Sequence, residues 1–247
     1  MKISTWNMAY WTHKKIHEDS WKYLTDELSP DIALVQESKL TKPVQNCVYR
    51  EIGGNSKWGS GIVTKNLQLK EIESPREFPN TYPGALIGAK VNLPNEKTLH
   101  VFSLYGRFEK DSYNKRSDTS TTLHRMLSDL TFLLIHLQRK KQHIIIGGDF
   151  NNSVQFDKLW GNPKYYTNAC RIFFDRLADF GLTDCFSPFH SEPVQTLRHR
   201  GSKIPWQNDY IFISNNLKDQ LRSCQVIDNE QVRAFSDHNP VVIELDL

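Results

Sequence analysis

Residues 143–152, HIIIGGDFNN, constrain this chain more than any other stretch. Three isoleucines in a row leave no polar face, so they read as a strand buried on both sides. A chain of 247 residues is long enough to enclose such a strand in one large domain. Two glycines follow, and then Asp149, Asn151 and Asn152. Asp149 and Asn151 either close an Asx-turn after the strand or are held out by it for chemistry.

The rest of the chain alternates between strand and helix patterns, without internal repeat, low-complexity tract or long linker. Strands are expected at 2–6, 31–37, 60–65, 84–93, 100–105, 209–214, 224–228 and 240–247. In 84–93, Ala85, Ile87, Ala89, Val91 and Leu93 face one way, and Gly88, Lys90 and Asn92 the other, the pattern of a half-buried strand. The short turn PNEK then leads into 100–105, which suggests antiparallel neighbours. A helix over 17–28 has Trp21, Leu24 and Leu28 on one face and is ended by Ser29-Pro30. The clearest helix, 121–141, repeats leucine at helical spacing and gathers basic residues in its last turn. A shorter one over 168–180 has Ile172, Phe173, Leu177 and Phe180 inward and Gly181 as its stop. These elements describe a strand-rich α/β domain with mixed pairing, spanning 1–247.

Composition removes several classes of function. Hydrophobic residues make up 38% and charged residues 24%, the balance of a globular chain rather than a disordered one. The net charge of +3 is too mild to identify a nucleic-acid partner by itself. No apolar run approaches the ~20 residues a membrane span needs. No signal peptide is evident at the N-terminus, so a cytoplasmic location is expected. Cys47, Cys170, Cys185 and Cys224 are scattered without a CxxC pair, which argues against zinc and for reduced core thiols.

Polar residues recur where apolar strands meet loops. Asn7 follows the first strand, Glu37 ends the second and Tyr105 ends 100–105. Asp149 and Asn151 follow the isoleucine strand, Asp209 opens DYIFIS, and Asp237 and His238 precede the last strand. Each has an ordinary alternative: a turn residue for Asn7, a surface carboxylate for Glu37, a core ring for Tyr105, a cap for Asp237, a backbone contact for His238. Together they form an oxygen-rich set without cysteine, suited to Mg²⁺ or Mn²⁺. A His–Asp pair can hold imidazole protonated against developing negative charge. Nucleophile elbow and GxxxxGK loop are both absent. Metal-assisted attack of water on a phosphate ester fits the set best.

With STWNM, IALVQES, GSGIVTK, GGDFN, NDYIFIS and SDHNPVVIE in this order, the sequence resembles the endonuclease/exonuclease/phosphatase superfamily, whose fold is that of deoxyribonuclease I. The resemblance covers nearly the whole chain and rests most on GGDFN and SDHNP. It implies a four-layer αββα sandwich of two mixed β-sheets flanked by helices, with the site at one edge. It implies Glu37 as the principal metal ligand, with Asn7 beside it and Asp237 as a metal-site or supporting carboxylate. Asp149 takes the place of the residue that activates water, and Asn151 that of its companion on the phosphate. His238 matches the phosphate-binding imidazole, oriented by Asp209. Tyr105 matches a tyrosine used on the exonuclease III side of the superfamily.

Three positions depart from that side: Ala9 stands where an acid is usual, Gly106 and Arg107 follow Tyr105 without the usual proline-containing loop, and Asn208 precedes Asp209 where an apolar residue is usual. They leave the metal chemistry intact and put a specific repair activity in doubt. Arg198, Arg200 and Lys203, in RHRGSK, and Arg107 are candidate phosphate contacts, or a solvated surface. The aromatics of AYW (9–11) and Trp206 either stack on bases or pack in the core. The expectation is a Mg²⁺- or Mn²⁺-dependent phosphodiesterase, a nuclease acting on DNA ahead of RNA. A phosphatase of small-molecule, lipid or nucleotide phosphates and an inactive nucleic-acid-binding relative are the alternatives.

Overall fold

The structure, a computed structural model, describes residues 1–53, 56–73, 76–94, 97–110, 116–160 and 169–247. In chain order the elements are β1 (Lys2–Asn7), α1 (His17–Lys22), β2 (Ile32–Ser38), β3 (Cys47–Gly53), β4 (Ser56–Thr64), β5 (Leu69–Glu71), β6 (Leu86–Asn92) and β7 (Thr98–Tyr105). Then come β8 (Phe108–Lys110), β9 (Arg116–Thr121), α2 (Leu123–Arg139), β10 (His143–Asp149), α3 (Val154–Trp160) and α4 (Ala169–Asp179). The chain closes with β11 (Leu182–Asp184), β12 (Asp209–Ser214), β13 (Leu221–Val226), α5 (Glu230–Phe235) and β14 (Val241–Leu245).

Two six-stranded sheets result, one ordered β13-β14-β1-β2-β4-β3 and the other β11-β12-β10-β7-β6-β5. Both are mixed. β1 runs parallel to β2 and antiparallel to β14, and β10 runs parallel to β7 and antiparallel to β12. The sheets meet face to face through β1, β2 and β4 against β10, β12, β7 and β6. β2 shows why its sequence is apolar throughout. Ile32 and Leu34 enter the core between the sheets, while Ala33 and Val35 join Trp21 and Leu24 under α1. α2 and α4 cover the second sheet through Leu127, Leu130, Leu134, Phe173 and Leu177. The four layers are helix, sheet, sheet, helix, as the resemblance implies.

Local details differ from the sequence expectation. The helix over 17–28 is α-helical only to Lys22 and π-wound from Tyr23 to Leu28. The Thr25 hydroxyl donates to the carbonyls of Trp21 and Lys22, back-bonding that loosens the regular ladder. Ser29 then ends it in a left-handed conformation at φ 44°. Ile172 is 50% exposed, one residue off the buried face set by Phe173 and Leu177. β6 is more enclosed than its alternation suggests, because Leu86 and Gly88 are buried too, the latter beneath Phe102 and Ile72. Asn95 and Glu96 of the PNEK turn, and Asn168 at the start of the 168–180 helix, lie outside the described residues. All four cysteines are free, and burial pushes Cys47 up to about 11 and Cys170 to about 12, so both are poor nucleophiles. Among the described residues no helix is long and apolar enough to cross a membrane.

The glycine pair of GGDFN is explained by the crowding of β10 between two neighbours. A Cβ on Gly148, at φ +150°, would lie 1.8 Å from the Leu104 carbonyl oxygen, and one on Gly147 would lie 2.9 Å from that of Tyr210. Gly148→Ala should therefore push β10 off β7 and lower stability by roughly 3 kcal/mol, about 6–12 °C in melting temperature. A thermal melt within about 2 °C of wild type would refute this account of the motif.

Candidate active site

Every polar strand end singled out from the sequence arrives at one rim of the sandwich. Asn7 ends β1, Glu37 lies near the end of β2, Tyr105 ends β7, Asp149 ends β10 and Asp209 opens β12. Asp149 and Asp209 are register partners on adjacent strands, as are Asp149 and Tyr105. Rigid strands thus deliver side chains from distant parts of the chain to one place.

Asp149 is the hub. Its Oδ2 accepts from Asn7 Nδ2 at 2.9 Å and from Asn151 Nδ2 at 3.0 Å, and its Oδ1 accepts the Asn151 amide at 2.8 Å. His238 Nε2 lies 3.8 Å from Asp149 Oδ2, and His238 Nδ1 meets Asp209 Oδ2 at 2.8 Å. Burial pushes the Asp149 carboxyl up to about 7, against the pull of His238. Burial alone would lower His238, but Asp209 and then Asp149 outweigh it and raise the imidazole to about 10. His238 is thus a cation held between two carboxylates, its Nδ1–H fixed on Asp209 and its Nε2–H turned toward Asp149.

Glu37 forms a second centre in the same cleft. Tyr105 Oη donates to its Oε1 at 2.7 Å. Burial raises the Glu37 carboxyl above its ordinary value, and burial likewise raises the Tyr105 phenol, which stays protonated as a donor. The backbone is strained here. Glu37 and Asn151 adopt φ of 43° and 44°, conformations uncommon outside glycine. The β2–β4 pairing bulges between Val35 and Ser38 and turns Glu37 toward the cleft.

The loop bearing Asp237 and His238 is held on both sides. The Arg198 amide donates to the Asp237 carbonyl at 2.8 Å, and the Asn239 amide to that of Thr196 at 2.7 Å. Ser236 Oγ accepts the His238 amide and donates to the Asn7 carbonyl, joining the loop to β1. The Arg198 guanidinium bonds Asn239 Oδ1 and the Ser236 carbonyl and faces Asp228 at 3.6 Å, so it is engaged within the protein. Thr196 Oγ1 caps the amides of both Asn208 and Asp209.

A cleft of about 660 Å³ opens over these groups. Glu37, Tyr105, Asp149, Asn151, Asp237 and His238 line it, with Asn7 and Asp209 buried behind. Arg198 and Arg200 line it also, whereas Arg107 and Lys203 are exposed and outside its lining. Trp206 is buried against Phe156, so of its two readings the structure shows packing. Trp58, which lines the cleft edge-on to Tyr105 at 5.6 Å, went unnoticed in the sequence, as did Thr196 and Ser236. The WGSG context of Trp58, an aromatic between small residues, was the available signal.

No protein-family model matches the chain, and no curated protein matches it in sequence. Solved structures do match it along its whole length. An endonuclease/exonuclease/phosphatase family protein from Leptotrichia buccalis superposes with a TM-score of 0.62 at 15% identity, covering all of both chains. The fold is that of the endonuclease/exonuclease/phosphatase superfamily. An AP endonuclease from Archaeoglobus fulgidus shares this fold at TM-score 0.67 and 18% identity over all of both chains. So does the 3′ phosphatase NExo from Neisseria, solved with a product DNA hairpin, at TM-score 0.67 and 22% identity, again over all of both chains. On this fold the cleft of the present chain lies at the rim where strands of both sheets end.

Proposed function

We propose that the chain is a divalent-metal-dependent phosphodiesterase of this superfamily, acting on nucleic acid, DNA ahead of RNA. The observation that carries the reading is the convergence of Asp149, the His238–Asp209 pair and Glu37 in one cleft. The neighbours' names, an AP endonuclease and a 3′ phosphatase bound to a product DNA hairpin, support phosphate-ester hydrolysis on nucleic acid. Mg²⁺ or Mn²⁺ fits the donors present. Glu37, Asp149, Asp209 and Asp237 gather around the His238 imidazole, and among the described residues no Lys or Arg forms an ion pair with any of the four. Glu37, with Asn7 and Asp237, would hold the ion, which when bound supplies positive charge to the phosphate and the leaving oxygen.

Asp149, Asp209 and His238 also lie close enough together to hold a metal, their ligand atoms all within 4.8 Å. On the 2.8 Å contact between His238 Nδ1 and Asp209, we read that trio instead as a protonated pair and a base. In this reading Asp149 orients a water and takes its proton, with Asn7 and Asn151 fixing the carboxylate. The Nε2–H of His238 is aimed at the charge that develops on the phosphoryl oxygens, and Asp209 keeps the tautomer. Tyr105 holds Glu37 in place.

A substrate panel tests the proposal: plasmid, single-stranded DNA, RNA and small phosphate esters, each with Mg²⁺ and with EDTA. DNA cleavage that stops with EDTA and returns with Mg²⁺ or Mn²⁺ is expected. Faster turnover of the small esters would assign the chain to small-molecule phosphates. Retained DNA binding with no hydrolysis of any substrate would make it an inactive binder.

A further inference from the structure

Trp11 has no part in the proposed chemistry. It is 58% exposed and lines the cleft with Glu37 and Asp149. A lone exposed indole on a loose loop would mean little. This one stands on a turn fixed at nearly every amide. The Ala9 amide donates to Asn7 Oδ1 at 2.9 Å, and the Tyr10 amide to the Glu37 carbonyl at 2.8 Å. The Thr12 and His13 amides both reach the Ala9 carbonyl, at 3.1 and 3.0 Å, and the Thr12 hydroxyl meets it too. Ala9 itself adopts φ 43°, a conformation costly for a residue with a Cβ. The turn that presents Trp11 is therefore tied directly to Asn7 and Glu37.

The cleft around it is divided by chemistry. Aromatic rings enter from Trp11, from Trp58 on β4 and from Tyr105 on β7. A cationic side chain enters from Arg200, and Arg233 on α5 also lines the cleft with its guanidinium paired to Asp228 at 2.7 Å. A nucleotide chain offers the complement, a π-face at each base and a charge at each phosphate. Inside a duplex both faces of a base are covered by its stacked neighbours, so an indole presented by this turn can take only a base that has left the stack.

We infer that Trp11 is a stacking platform for an unpaired base beside the scissile phosphate, and that the substrate is single-stranded or locally opened nucleic acid. This rests on the function proposed above and specifies the strand state of its substrate. The test measures binding on an Asp149→Asn background, where turnover does not interfere. Fluorescence anisotropy would give dissociation constants for a short single-stranded oligodeoxynucleotide, for the same strand with one base removed at each position in turn, and for its blunt duplex. Trp11→Ala should weaken single-strand binding about tenfold and duplex binding less than about twofold, and Trp11→Phe should keep most of the affinity. Removing the stacked base should cost the Trp11 protein the same factor and leave Trp11→Ala unaffected, because the contact is lost only once.

Equal losses on strand and duplex would overturn the inference, as would full additivity at every position or no measurable binding of the strand. An unchanged circular dichroism spectrum for Trp11→Ala keeps misfolding from imitating the effect. The two readings fail separately. Coupling without hydrolysis by the unsubstituted chain sinks the nuclease and spares Trp11, whereas hydrolysis without coupling does the reverse.

Discussion

Asp149→Asn is expected to reduce turnover by about 10²- to 10⁴-fold, the range for losing a general base, and to change how stability depends on pH. Asparagine keeps the shape but cannot take a proton from water. It also removes one anion from a buried group of three carboxylates and one imidazole, where charge is costly to bury. The sign with pH follows from the raised carboxyl. Folded Asp149 holds its proton up to about 7, whereas its ordinary value is 3.8. The folded state therefore binds more protons in that window, and stability falls as pH rises through it. The asparagine variant lacks this loss, so its melting temperature relative to wild type should be higher at pH 8 than at pH 5. Hydrolysis within about tenfold of wild type at saturating Mg²⁺ would remove Asp149 from its role.

His238→Gln should lower kcat by about 10²- to 10³-fold, as expected when one charged donor to a developing oxyanion is lost. The wild-type rate should rise with pH as Asp149 ionises near about 7 and fall as His238 loses its proton near about 10. The glutamine variant should keep the first limb and lose the second. A wild-type rate that stays flat from pH 8 to well above 10 would show that the imidazolium is not needed. That outcome would leave His238 as a spacer between two aspartates.

The strand ends could be read in the sequence because each carries a local mark: an apolar run broken by one polar residue. GGDFN and SDHNP also announce their neighbours, since the glycines report crowding and the serine bonds the His238 amide two residues on. The pairings were not legible. Asn7 bonds Asp149 across 142 positions and Tyr105 bonds Glu37 across 68, and no local pattern encodes such partners. Arg198 read as a cation for substrate because its acceptors, Asn239 and Ser236, lie on a segment that only the fold brings near. The π-wound turn at Tyr23–Leu28 was hidden because six residues cannot separate a period near four from one of 3.6. Trp58 was missed because an aromatic residue in a strand reads as packing until a cleft opens beside it.

The place of β14 in its sheet has a bearing on synthesis. β1 lies between β2 and β14, and β14 pairs with it from Lys2↔Glu244 to Thr5↔Val241. A nascent chain still short of that strand leaves β1 with one open edge and has not anchored His238 against Asp209. Translation runs vectorially, so β1 gains its second neighbour, and the loop of His238 its final place, only after residues 1–245 have been made. A product truncated before Val241 is therefore expected to lack the His238–Asp209 contact, an order of assembly that comes from topology alone.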